Sequence, residues 1–315
     1  MSLPRVTFGV VNCNRLFYLK SCLESLIHCT EDYENKEFIL IDNASIEEGT
    51  EEYLQEKEKQ GIKVIRQEKR DPANEFAKAL NMIVREATGD YICPVQGDIQ
   101  FTVKNGWLED YVKLYEKYDD IGSISFDAQR NVRNAGGMFS NLIGDSEFKF
   151  VYNFKKYPVS GAGDVMFSKQ VLEMMYPWEE ENEKFEGGPD SETKMLQKVN
   201  QILERTNKRL WQVMPMYPIA SVIYTDPRGT NARIRGNKRY GKYWPPKEDY
   251  RYYKIIDYED ALEKIKNRTI PVGIEDAAQG AGWDPPVDEC GNWKKNPIRP
   301  ETAVKSDYVD LNKIY

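Results

Sequence analysis

Over residues 5–95, apolar and polar positions follow two different rhythms. Arg5-Val-Thr-Phe-Gly-Val-Val11 is a short β-branched run that predicts a strand, and Leu16, Leu19, Leu23, Leu26 and Ile27 then recur at helical spacing. Phe38 to Ile41 predicts a second strand. The turn residues Asn43-Ala-Ser-Ile after it predict a helix N-capped by Ser45 and running to Gln60, and Ile62 to Ile65 predicts a third strand. Glu75 to Ala87 returns to helical spacing through Phe76, Ala79, Leu80, Ile83 and Val84, and Gly89 ends it before a strand over Tyr91 to Val95. Strands alternating with helices imply right-handed crossovers, and so an α/β fold with a mostly parallel sheet flanked by helices.

The pattern then becomes mixed. A helix is expected over Trp107 to Tyr118, a strand over Ile121 to Phe126, and a loop or hairpin in the Gly/Asn-rich stretch 131–145. Pro158 to Phe167 reads as a turn and a strand, Gln170 to Met175 opens a helix, and Glu192 to Arg205 is an amphipathic helix. From Tyr243 the composition shifts to Pro, Tyr, Trp and charge, with only Tyr258 to Lys266 helical in pattern. This divides the chain into a catalytic-type domain, 1–242, with halves meeting near residue 102, and an extended C-terminal arm, 243–315, that packs by its aromatics or serves assembly into a homo-oligomer.

Two of the strands end in acid: Glu37-Phe-Ile-Leu-Ile-Asp42 and Asp90-Tyr-Ile-Cys-Pro-Val-Gln-Gly-Asp98. The C-terminal ends of parallel strands are where open sheets bind ligands, so the two carboxylates suggest one nucleotide-and-metal cleft. Charge narrows the class further. A net charge of -7 argues against a protein that grips nucleic acid, although residues 228–239 form a basic cluster. With no apolar run of about 18 residues and no signal-peptide pattern, a soluble cytoplasmic protein without a transmembrane segment is expected. The 5 cysteines are odd in number and lack CxxC spacing, so free thiols are expected.

Val6-Thr-Phe-Gly-Val-Val-Asn-Cys-Asn-Arg15, Tyr18-Leu-Lys-Ser-Cys-Leu-Glu-Ser-Leu26, Ile41-Asp-Asn-Ala-Ser45, the helix residues Asn74, Ala77 and Asn81, and Ala87-Thr-Gly-Asp-Tyr-Ile92 follow one another in a distinctive order and spacing. Together they resemble the family 2 glycosyltransferases, which have the Rossmann-like GT-A fold; the resemblance covers residues 5–240. It implies that Val11, Asn12, Asn14, Asn81 and Gln96 line the nucleotide site. Asp42 would accept a hydrogen bond from the base, most simply uracil N3–H, since a carboxylate offers acceptors only; a strand-end cap is the plainer alternative.

The family's paired acids at the metal-binding turn are here Gln96-Gly97-Asp98. The resemblance implies Mg²⁺ or Mn²⁺ held by Asp98 against the donor diphosphate, with the site weakened by one lost charge. Gln96 offers a carbonyl oxygen or a contact to a ribose or sugar hydroxyl. The family's late metal-binding histidine is missing, His28 being the only histidine and lying on the first helix, so Asp226 is the substitute ligand or else a turn-initiating residue before Pro227. In Phe185-Glu-Gly-Gly-Pro-Asp-Ser-Glu-Thr-Lys194, Asp190 aligns with the family's general base and Glu192 with a second acid, while Pro189 replaces the first acid of the usual pair; an acidic N-cap explains Asp190 equally well. Asp164, in Ser160-Gly-Ala-Gly-Asp-Val-Met166, is a contact for the sugar or acceptor, or a polar strand-end residue. Arg228, Arg233 and Arg235 in the basic loop suit the donor diphosphate; an exposed solvated loop, or a contact to an anionic acceptor, is the competing reading.

The expected protein is therefore an inverting hexosyltransferase of polysaccharide biosynthesis that uses a nucleotide sugar, most simply a UDP-sugar. Its acceptor would be a saccharide, glycolipid or glycoprotein hydroxyl. A sugar nucleotidyltransferase would need a Gly-rich basic loop after the first strand, which Asn12-Cys-Asn-Arg15 does not provide. A degenerate relative that binds sugar or nucleotide without turnover is the remaining alternative.

Overall fold

The computed structural model describes residues 3–14, 16–71, 74–126, 142–144, 149–153, 164–179, 191–208, 210–215, 217, 219–222 and 255–266. The chain opens with β1 (Val6–Asn12), α1 (Leu16–Cys29), β2 (Lys36–Asp42), α2 (Thr50–Lys59), β3 (Lys63–Arg66), α3 (Glu75–Glu86) and β4 (Tyr91–Gln96). The short strands β5 (Ile99–Phe101) and β6 (Val103–Lys104) lead to α4 (Trp107–Lys117) and β7 (Ile121–Ser125). A hairpin of β8 (Leu142–Gly144) and β9 (Phe150–Asn153) precedes β10 (Val165–Ser168) and α5 (Lys169–Met175). Then come α6 (Ser191–Thr206), β11 (Trp211–Pro215), β12 (Ala220–Val222), β13 (Ile256–Asp257) and α7 (Tyr258–Lys266).

The main sheet has the order β3-β2-β1-β4-β10-β7-β11-β9-β8. Its first half, β3-β2-β1-β4, is fully parallel, as the alternation of strands and helices predicts. The second half is mixed: β10 runs antiparallel to both β4 and β7, and β11 parallel to β7.

Both faces of the sheet are apolar because alternate residues of each strand serve different layers. Val6, Phe8 and Val10 of β1, Leu40 of β2 and Cys93 and Val95 of β4 join α1 and α4 in one core. Ile39 and Ile41 of β2, Ile92 of β4 and Val165 and Phe167 of β10 join α3, α5 and α6 in the other. The first core is aromatic at its centre, where Trp107 packs edge-on against Tyr111 and Phe126 and its indole N–H donates to the Cys29 carbonyl at 2.7 Å.

Two local readings change. The helix expected from Ser45 begins only at Thr50, after Gly49 with φ +82°, because the Ser45 hydroxyl is bonded to Asp42 instead of capping a helix. The segment 255–266, placed by the sequence in the C-terminal arm, packs on the sheet domain: Ile256 pairs with Val103, Ala261 is fully buried, and the Tyr258 hydroxyl donates to Asp110 Oδ2 at 3.0 Å. Residues 267–315 and 223–254 lie outside the described residues. Among the described residues no helix is long and apolar enough to cross a membrane, and Cys13, Cys22, Cys29 and Cys93 are free thiols.

At the start of the strands, Glu37 ties three of them together. Its carboxylate accepts from Thr7 Oγ1 (2.6 Å), Thr88 N (2.6 Å) and Arg5 Nη2 (3.1 Å). Burial pushes its pKa up, but the hydrogen bonds from Thr7 and Thr88 and the charge of Arg5 outweigh this and hold it below 4.5.

Two outcomes are expected. A Cβ at Gly9 would lie 2.4 Å from Ile83 Cγ2, and the β-branched Ile83 has little rotamer freedom to yield, so Gly9→Ala should cost about 1–3 kcal/mol in urea unfolding. Ile83→Ala in that background should cost less than the sum of the two single changes. The depressed Glu37 pKa adds stability above the unfolded value that is lost as pH falls through the folded value. The stability gap between wild type and Glu37→Gln should therefore be full at neutral pH and close on acidification below pH 4.5, which unfolding midpoints across that range would measure.

Candidate nucleotide and donor site

The C-terminal ends of β1, β2 and β4 form one edge. At the centre of its β1–β2 side is Ser45. Its hydroxyl donates to Asp42 Oδ1 at 2.6 Å and accepts from Asn14 N (2.7 Å) and Asn12 Nδ2 (3.1 Å), while its own N–H goes to Asp42 Oδ2 at 2.9 Å. Asn12 Nδ2 also reaches Asp42 Oδ1 at 2.8 Å, and the Asn12 carbonyl accepts from Asn43 N at 2.9 Å. Asn14, at φ +48°, turns its side-chain oxygen to the N–H groups of Ile46 and Glu47. Glu47 in turn caps the first N–H of α1, at Leu16, at 2.7 Å.

The structure thus brings Asn12, Asn14 and Asp42 together and gives each a structural task. Asp42 is 3% exposed and receives three hydrogen bonds, two on Oδ1 and one on Oδ2. A carboxylate has about four acceptor sites, so one remains, on Oδ2.

Beside this knot lies Arg70, a residue for which the run Glu68-Lys-Arg-Asp71 gave no signal. It pairs with Glu75 at 3.1 Å and lies against the Cys13 thiol. Burial opposes its charge, but the bonds to Glu75 and Cys13 more than offset that, and the guanidinium stays charged.

On the β4 side, Gln96, Gly97 and Asp98 turn at the end of the strand, with Gln96 and Asp98 half-buried. Gln96 lies level with Val11 of β1, and a Cβ at Gly97 would stand 3.0 Å from the Val11 carbonyl oxygen. A side chain there would push the turn and β1 apart by a few tenths of an ångström. Asp164, just before β10, is 6% exposed and accepts the Gln96 N–H on Oδ1 at 2.9 Å. Beneath the turn, the buried Cys22 thiol lies 3.7 Å from the Gln96 carbonyl oxygen; burial, then the charges of Asp164 and Asp98, push its pKa well up.

A model of glycosyl transferase family 2 matches residues 7–175, more than half of the chain. The chain belongs to that family. No curated protein matches it. Among solved structures, the mannosyltransferase PcManGT from Pyrobaculum calidifontis, in complex with GDP-Man and Mn²⁺, is 18% identical with a TM-score of 0.51, over 74% of this chain and 61% of its own. TarS 1-349 from S. aureus is 14% identical with a TM-score of 0.45, over 67% of this chain and 57% of its own. The first likeness shows a shared fold, and this chain spans less than two thirds of the length of either.

As a family 2 chain with the GT-A fold, the protein places its other expected site residues unevenly. Asn81 is engaged by the main chain of Trp178: its amide donates to the Trp178 carbonyl (3.0 Å) and accepts the Trp178 N–H (2.8 Å), so α3 clamps the segment after α5. Asp190, Asp226, Arg228, Arg233 and Arg235 lie outside the described residues, as does the Glu192 side chain. The helix that follows Asp190 is placed by topology. β11 runs in the direction of β7, hence of β4, and α6, leading into β11 through 207–210, runs back against it and so starts toward the ligand edge.

Asn81→Ala removes both partners of a buried main-chain segment and is expected to cost about 1–3 kcal/mol in urea unfolding. An unchanged midpoint would show that the clamp carries no load.

Proposed function

We propose that the protein is an inverting glycosyltransferase that moves a hexose-type sugar from a uridine diphosphate sugar to the hydroxyl of a saccharide-like acceptor. The reading is carried by one observation: in a family 2 chain, Asp42, Gln96, Asp98 and Asp164 converge where the parallel strands end.

The spare acceptor site of Asp42 supports uridine. Uracil offers a single imide N–H, which one lone pair on Oδ2 can take. Guanine presents two adjacent N–H donors and asks for both oxygens, but Oδ1 is already filled by Asn12 and Ser45.

Among the described residues no group of three or more His, Cys, Asp or Glu side chains could hold a metal ion. The donor set still fits a hard divalent cation, which commonly takes one or two carboxylates and completes its shell with substrate phosphates and water. Asp98 and the Gln96 side-chain oxygen would hold Mg²⁺ or Mn²⁺, with Asp226 as a further oxygen ligand. When bound, such an ion neutralises charge on the leaving diphosphate.

Asp190 acts as the general base. It takes the proton of the acceptor hydroxyl as that oxygen bonds to the anomeric carbon, the bond from that carbon to the diphosphate oxygen breaks, and the electron pair leaves with the nucleoside diphosphate. A single displacement inverts the anomeric centre, and Glu192 supports the same helix start. Arg228, Arg233 and Arg235 bind the diphosphate. In support of this, Val222 pairs with Ile99, the residue after Asp98, and Arg228 follows Val222 by six residues, about 20 Å of extended chain at most. Residues 1–242 form the catalytic unit, against which 255–266 of the extension 243–315 pack, and the setting is cytoplasmic polysaccharide or glycoconjugate synthesis.

The test is a panel of nucleotide sugars with and without Mn²⁺, followed by product analysis. UDP should bind more tightly than GDP, and Asp42→Ala should weaken UDP about tenfold or more. Asp190→Asn should lower transfer by about 10²–10⁴-fold while leaving UDP affinity in place. Nucleotide binding without turnover on any donor would make the protein a binding module instead.

A further inference from the structure

The turn that carries Asp98 is where the chain leaves the main sheet. β4 ends at Gln96, which pairs with Val11 of β1, and the next strand, β5, belongs to a separate two-stranded sheet with β12 that takes up pairing at Ile99. Asp98 stands between the two ladders and in neither. The oxygens of a metal-binding residue work only when the groups behind them fix their orientation, so the turn needs a support that the strands do not give.

The direction of β5 shows which element gives it. Thr102 N, just past β5, donates to the Ile219 carbonyl beside β12 at 2.8 Å, so the alternation of an extended chain turns the Ile99 and Phe101 N–H groups to the opposite edge. Among the described residues no strand pairs with that edge. Helix α1 meets it with side chains instead. The Ser25 hydroxyl accepts from Phe101 N at 3.0 Å while donating to the Ser21 carbonyl at 2.6 Å. One helical turn earlier, the Cys22 thiol donates to the Gln96 carbonyl at 3.7 Å, and the Ile99 N–H bonds to the same sulfur. Gln96 and Ile99 are the first and last residues of the turn Gln96-Gly97-Asp98-Ile99, so a single atom on α1 grips both of its ends.

A buried cysteine can also be no more than a small apolar side chain filling space. Cys93 on β4 is of that kind: it is fully buried in the same core, and burial alone pushes its thiol up. Cys22 is equally buried, but the Ile99 main chain and the charges of Asp164 and Asp98 act on it as well, which sets its sulfur behind the ligand edge and not merely within the core.

We propose that Cys22 is a positioning residue for the cation–diphosphate site: from α1 it sets the turn that presents Asp98, while Ser25 holds the strand that follows. This inference rests on the reading that Asp98 takes a divalent cation together with a nucleoside diphosphate.

The test uses the full chain and measures the UDP dissociation constant calorimetrically, without metal and with saturating Mn²⁺. The ratio of the two reports coupling between cation and nucleotide and requires no turnover. Cys22→Ala removes the contact at both ends of the turn and should lose about tenfold of the Mn²⁺-induced tightening, the scale on which partners behind metal ligands act. Metal-free UDP affinity should be little changed. Cys22→Ser supplies a hydroxyl that can both donate and accept, so it should keep more of the tightening than alanine does. Cys93→Ala opens a cavity in the same core without touching the turn and should leave the tightening at the wild-type level. Undiminished tightening in Cys22→Ala, a serine variant no better than alanine, or an equal loss in Cys93→Ala overturns the role of Cys22 while leaving the cation site standing. A wild-type protein whose UDP affinity ignores Mn²⁺ overturns both.

Discussion

Two strand ends and two loops meet at the Ser45 hydroxyl, which donates to Asp42 and accepts from Asn12 and Asn14. Because Asp42, Asn12 and Asn14 are buried and Ser45 is half-buried, a donor or acceptor left unmatched among them would carry a desolvation cost. The loop after β1 and the loop after β2 are thereby made one body. The start of α1 depends on that body, since Leu16 N is capped by Glu47, which Asn14 holds in place. So does the parallel pairing of β1 with β2, which runs to Asn12 and Asp42 themselves. The edge can meet a ligand with little reorganisation because its polar groups already fix one another.

The elements up to β4 were legible in the sequence because their signals are local. Helical spacing in α1 and α3 and short apolar runs in β1, β2 and β4 each lie within a dozen or so residues. Ser45 shows where local signals mislead: a serine after a strand and before an acidic run has the form of an N-cap, but Asp42, three residues earlier, competes for the same hydroxyl and wins. The insertion of β10 between β4 and β7 was not legible, since antiparallel pairing across that distance leaves no periodic trace.

The candidate site divides along the same line. Asp42 and Asp98 stand at strand ends that pattern alone can find, whereas Asn12 and Asn14 were picked out by the resemblance in motif order. Asn81 looks like a ligand-facing helix residue, but its partner is the main chain of Trp178, far away in sequence. Asp164 was visible as a polar residue at a strand entrance; its bond to Gln96 joins it to a strand it meets only after folding. Residues 255–266 gave a helical pattern without any sign that Ala261 would be buried in the core formed by α1 and α4.

The short strands β12 and β13 carry a topological consequence. β12 pairs with β5 and β13 with β6, and β5 and β6 are separated by Thr102 alone. The chain from 223 to 254 therefore departs from and returns to a single stretch of backbone that begins right after Asp98. Its two feet are closed by the sheet, so the entropy of bringing its ends together is met when the domain folds and not when a ligand arrives.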